Sequence, residues 1–150
     1  MRRVSRQNYL IYGALSLQFL AGLICIFLFN GTADAGDSIY HYLFARYAPT
    51  HIELYFDHWA KPVFVLLASP FAQFGFGGMK LFNVMVSVLT TYFTYRSAEK
   101  IKIANPLYVL PMMLFATMNF TIMFSGFTEP LFALFTIPVS YTHLTLPTKA

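Results

Sequence analysis

The run at residues 10–29, LIYGALSLQFLAGLICIFLF, limits this chain more than any other stretch. Only small residues, Tyr12 and Gln18 interrupt its apolar character. A helix rises ~1.5 Å per residue, so roughly twenty such residues reach across a ~30 Å hydrocarbon layer. Arg2, Arg3 and Arg6 before it predict a cytoplasmic N-terminus and an exit near Asn30. Ala33-Asp34-Ala35 fits a signal cleavage pattern. Signal cores run about 7–15 apolar residues, however, and this one is longer. The run therefore reads as an uncleaved anchor.

Residues 79–95 and 107–124 are predicted as further spans, and another apolar run opens at 131. Pro111 is expected to bend the second of these, and Lys80 to snorkel from the first. Residues 62–74, PVFVLLASPFAQF, are too short to cross and contain Pro70. They predict a surface-lying or re-entrant helix, closed by a turn at Gly75, Gly77 and Gly78. Charged residues are only 11% of the chain against 57% hydrophobic, where soluble domains carry about a quarter charged. Too few polar side chains remain to clothe a water-facing globule. The expected class is all-α: a polytopic transmembrane helical protein of the plasma (inner) membrane, covered by the lipid bilayer, with interfacial helices in its first external loop. The net charge of +4 sits in small clusters, which excludes a nucleic-acid footprint. A lone Cys25 excludes an internal disulfide or a cysteine-based metal site.

Residues 139–150 turn abruptly to Thr, Pro and Lys halfway through an apolar run. They resemble adapter read-through and are expected to be a non-native tail, so His143 and Lys149 receive no role. The chain is read as the N-terminal part of a longer membrane protein.

Residues 34–62 are what these runs hold. They contain Asp34, Asp37, Glu53 and Asp57, leaving only Glu99 and Glu129 elsewhere, together with three of the four histidines and the single tryptophan. From Asp37 to Tyr47 the spacing is helical, with Ile39, Tyr40, Leu43, Phe44 and Tyr47 on one side. Pro49 ends it, and Tyr55, Phe56 and Trp59 add interfacial anchors. If 62–74 stays on one side, Arg96, Lys100 and Lys102 fall in the cytoplasm, as the positive-inside rule favours. Glu129 then faces outward with Asp37, and one extracytoplasmic pocket is expected to gather both.

A carboxylate such as Asp37 can take the proton of an attacking hydroxyl, and a lysine or divalent metal can stabilise a departing phosphate. Asp37 after Gly36 equally suits a helix cap. Glu129 beside Pro130 suits a helix start, although a carboxylate at membrane depth costs ~2.5–3.5 kcal/mol. Lys61 fits a phosphate or a lipid headgroup. Asp57 and His58 offer metal donors or a hydrogen-bonded loop pair. His41 and Arg46 read as interface residues, and the aromatic stripes as lipid belt and packing. Asn30-Gly31-Thr32 is a glycosylation sequon in a eukaryotic host. The chain has no glycine-rich phosphate loop.

The ordered set of features resembles the GT-C superfamily of membrane glycosyltransferases, in its protein mannosyltransferase and aminoarabinose transferase branch. The set is a first span, Asp37-x-x-Tyr40-x-Tyr42, then Tyr55-Phe56-Asp57-His58, Lys61-Pro62, a short helix, a glycine turn, a span, a basic loop and Thr128-Glu129-Pro130. The likeness covers roughly residues 2–138. It implies transfer of a sugar from a polyprenyl-phosphate carrier to an extracytoplasmic acceptor, with inversion. Asp37 and Glu129 match catalytic acids, Lys61 the lysine near the carrier phosphate, and His58 and Tyr40 substrate contacts, with Asp57 a metal ligand if a divalent metal takes part. Ser38 stands where the family often has a second acid, and Trp59-Ala60 is inserted relative to its commonest pattern. The competing readings are an ion-coupled transporter, which wants charges near the middle of spans, and a noncatalytic membrane scaffold.

Overall fold

The computed structural model describes residues 6–32 and 36–145. Arg2, Arg3, the Ala33-Asp34-Ala35 pattern and Lys149 lie outside them, as does the side chain of His143. The described residues are helical, with no strand. The helices are α1 (Arg6–Leu28), α2 (Asp37–Tyr47), α3 (Pro62–Ala72), α4 (Phe76–Lys100), α5 (Val109–Phe115), α6 (Thr117–Met123) and α7 (Glu129–Thr145). Short 3-10 turns occupy Ile52–Tyr55 and Pro106–Tyr108.

Helix α4 is the spine, packed by α1, α3, α5, α6 and α7. The expected span at 79–95 is thus longer than its apolar run, and it is a buried centre rather than a lipid-facing rod. Its interior face carries Asn83, Ser87, Thr90 and Thr91. Polar hydroxyls survive there because they bond back one turn: Thr90 to the Val86 carbonyl at 2.9 Å and Thr91 to that of Ser87 at 3.1 Å. This polarity keeps α4 from qualifying as an apolar crossing helix. Among the described residues only Gln7–Leu28 is one continuous helix long and apolar enough to cross a membrane, a property that signal sequences share.

The 107–124 stretch is broken, but not where the sequence suggested. Pro111 lies in the first turn of α5, where backbone N–H groups have no helical acceptor and proline costs little. The break is at Ala116, whose ψ of 106° is extended, and the chain bends by 64°. Asn119 makes it tolerable by donating through Nδ2 to the Met113 carbonyl at 2.8 Å. If the bent pair is one crossing, it is the second that the described chain offers. Helix α7 runs on through Pro138 to Thr145, so the composition change after 139 does not end it.

Two clusters form the core. The larger joins Ala45, Ala48, Phe64, Val65, Ala68, Met79, Phe82 and Leu131, with Phe82 against Phe64 and Phe71 at ring distances of 5.7 and 5.3 Å. Gly78 lets α3 turn back onto α4, since a Cβ there would collide with the Phe71 carbonyl. The smaller cluster, Ile11, Tyr95 and Leu110, ties the start of α1 to the end of α4. Helix α1 therefore starts where α4 ends. Its other end, at Phe29 and Gly31, meets Lys80 near the start of α4.

An acid-lined cavity beside the start of α2

Gly36 adopts a φ of 132°, a conformation that favours glycine, and makes Asp37 the first helical residue rather than the cap. The carboxylate is exposed and joins no ion pair among the described residues. Helix α2 turns its small face inward, burying Ser38, His41 and Ala45, while Ile39, Tyr40, Leu43 and Tyr47 stay exposed. His41, expected at the interface, is therefore a packing residue, 8% exposed and edge-on to Phe64 with ring centroids 5.8 Å apart. Its small neighbours decide this: only that face lets α2 approach α3 closely. The far end of α2 is fastened to α3 as well, where Gln73 Nε2 donates to the carbonyls of Arg46 and Ser69, each at 3.1 Å.

The 57–59 loop faces α2. Asp57 Oδ1 accepts the Trp59 backbone N–H at 2.9 Å and lies 3.4 Å from His58 Nδ1. This is a side chain holding its own turn, so the loop-pair reading of Asp57 and His58 describes the contact found. Between α2 and this loop lies a cavity of about 350 Å³ lined by Asp37, Tyr40, His41, Phe44, Asp57, His58 and Trp59. Four residues named from sequence, Asp37, Tyr40, Asp57 and His58, are thus brought together.

Glu129 and Lys61 do not line it. Lys61 is the exposed residue before the first turn of α3. Glu129 stands apart because the chain moves along α4 before α7 begins. Asn83 Nδ2 holds the carbonyls of Ser125 and Phe127 at 2.9 and 2.8 Å, whereas the Pro130 carbonyl lies by Thr90 Oγ1 at 3.4 Å. Those anchor points are about two helical turns apart, roughly 10 Å. The 125–128 turn does touch α2, since a Cβ on Gly126 would meet the backbone of Ser38. Asp37 and Glu129 therefore do not share one cavity, which the sequence reading expected.

Metal ligation by Asp57 gains no partner set. No group of three His, Cys, Asp or Glu side chains converges among the described residues, and Asp57 Oδ1 is already engaged.

Two residues carry more than their sequence suggested. Lys80 does not snorkel: it is 2% exposed, and Nζ donates to the carbonyls of Phe29 and Gly31 at 2.6 and 2.8 Å. These oxygens lie beyond the last turn of α1, where acceptors lack helical partners. Trp59, read only as an anchor, lies on the cavity wall. Its place directly after Asp57-His58 was the available signal. No protein-family model matches the chain, and no curated protein or solved structure shows significant similarity to it.

Proposed function

We propose that this chain belongs to a polytopic membrane glycosyltransferase of GT-C type, using a polyprenyl-phosphate sugar. The observation that carries the reading is Asp37, exposed at the mouth of a cavity whose opposite wall is the Asp57-His58-Trp59 turn. In this reading the Asp37 carboxylate takes the proton of the acceptor hydroxyl as that oxygen bonds to the anomeric carbon. The bond from that carbon to the carrier phosphate breaks, and the lipid phosphate leaves with the electron pair. Lys61, outside the cavity at the start of α3, is free to meet that phosphate. Glu129 receives no direct part in transfer.

Membrane placement rests on α1, on the bent α5–α6 pair and on charge. Arg96, Lys100 and Lys102 lie at the end of α4 that meets the start of α1, and Asp37 lies near its other end. Positive-inside orientation then turns the cavity outward. An ion-coupled transporter would draw on buried Lys80, but that ammonium is held by two carbonyls.

The test is carrier-linked sugar transfer in membranes containing the full-length protein. Asp37→Asn is expected to lower turnover by roughly 10²–10⁴-fold, the usual worth of a general base. Unchanged turnover contradicts the reading.

A further inference from the structure

The lining of the cavity narrows what can occupy it. Asp37 and Asp57 contribute two carboxylates, and among the described residues no lysine or arginine shares the wall. A phosphate would meet like charges in a partly enclosed space. A wholly apolar ligand would strip water from both carboxylates and return no hydrogen bonds. Ionised carboxylates only accept hydrogen bonds, so the occupant must donate them.

The remaining wall is flat and aromatic. Trp59 is 57% exposed, and its ring lies 5.8 Å from that of His58 at a tilt of 57°. The Asp57 carboxylate holds the Trp59 backbone through a 2.9 Å bond, which keeps the two residues on one tight turn. Tyr40 is exposed on the α2 side of the same space. One apolar platform and two acceptors at its edge suit a ligand with a hydrophobic C–H face and a rim of hydroxyls. The volume of about 350 Å³ is within the usual range for small-molecule sites.

We infer that this cavity binds a pyranose ring, stacked on Trp59 and donating hydrogen bonds to Asp37 and Asp57, while the phosphate of any carrier stays outside. The inference deepens the transferase reading by locating the sugar and naming Trp59 and Asp57 as its specificity residues. It does not require turnover.

Trp59 is the only tryptophan in the chain, so its emission reports this cavity alone. The experiment titrates the detergent-solubilised protein with methyl α-mannopyranoside, methyl glucopyranoside and methyl galactopyranoside, with inorganic phosphate as a separate arm. A saturable emission change with at least one glycoside is expected, at roughly millimolar concentration, and none with phosphate. Asp57→Asn should weaken the apparent affinity about tenfold. In equilibrium dialysis with the same labelled glycoside, Trp59→Leu should weaken binding about tenfold and Trp59→Phe much less. Unchanged helix content by circular dichroism shows that each variant is folded. Absence of a saturable response to all three glycosides, or phosphate binding in their place, overturns the inference. If that happens while Asp37→Asn still abolishes transfer, the transferase reading stands and only the sugar position is wrong. If glycosides bind and transfer ignores Asp37, the cavity is a sugar site and the transferase reading falls.

Discussion

The two ends of α4 are built in opposite ways. Near its start, Lys80 and Asn83 reach across the fold to hold backbone from distant segments: Phe29 and Gly31 after α1, and Ser125 and Phe127 before α7. Near its end, the polar groups satisfy each other on adjacent turns. Arg96 pairs with Glu99 at 3.0 Å, and Tyr95 donates to Glu99 at 3.1 Å. Both amide and ammonium of the first end are consumed in fixing loops, which leaves Asp37 exposed and without an ion pair among the described residues. The second end closes on itself and on the Ile11, Tyr95 and Leu110 cluster. The proposed chemistry is placed at the end whose scaffold is long-range and whose Asp37 carboxylate joins no ion pair among the described residues.

That contrast can be tested by stability. Lys80→Met should cost the most, roughly 3 kcal/mol, because two charge-assisted hydrogen bonds of a buried ammonium vanish. Thermal unfolding in detergent measures it. Lys100, at the other end, lies over the Tyr141 ring at 4.8 Å on the surface, and Lys100→Met should cost no more than about 1 kcal/mol. Equal losses from the two lysines would erase the distinction between the ends.

Gly126→Ala should cost about 2 kcal/mol, since its Cβ would press on the Ser38 backbone and part the 125–128 turn from α2. Gly13→Ala in α1 meets nothing within 4 Å and should be neutral or stabilising by up to about 1 kcal/mol. Denaturant midpoints for the pair check both signs. Arg96→Ala should give the smallest change, about 0.5 kcal/mol, because its ion pair with Glu99 is half-exposed and screened. A larger loss there would mean that the basic end carries fold stability too.

Much of the local layout was legible in sequence because local signals dictate it. Helix α2 starts at Asp37 after a glycine and stops before Pro49, and α3 starts at Pro62 and stops at Ala72, two residues short of the apolar run. The gathering of Asp37, Tyr40, Asp57 and His58 follows from the short distance along the chain between α2 and the 57–59 loop. What stayed hidden depends on partners far away in sequence. Lys80 reads as a snorkelling residue until the carbonyls after α1 arrive beside it. His41 reads as polar surface until Phe64 covers it. The position of Glu129 depends on how far the chain travels along α4 between Asn83 and Thr90, which no local pattern encodes. Pro111 drew attention away from Ala116, because a proline in a first turn looks the same in sequence as one that breaks a helix.

The central claim is that the cavity end of the fold faces outward and the basic end faces the cytoplasm. Single cysteines made by Asp37→Cys, Glu129→Cys and Lys102→Cys, in a Cys25→Ser background, test it directly in intact cells treated with a membrane-impermeant maleimide. Positions 37 and 129 should label without permeabilisation, and position 102 only after it. Labelling of 37 from outside with 129 reachable only from within would place the two acids on opposite sides and contradict the account.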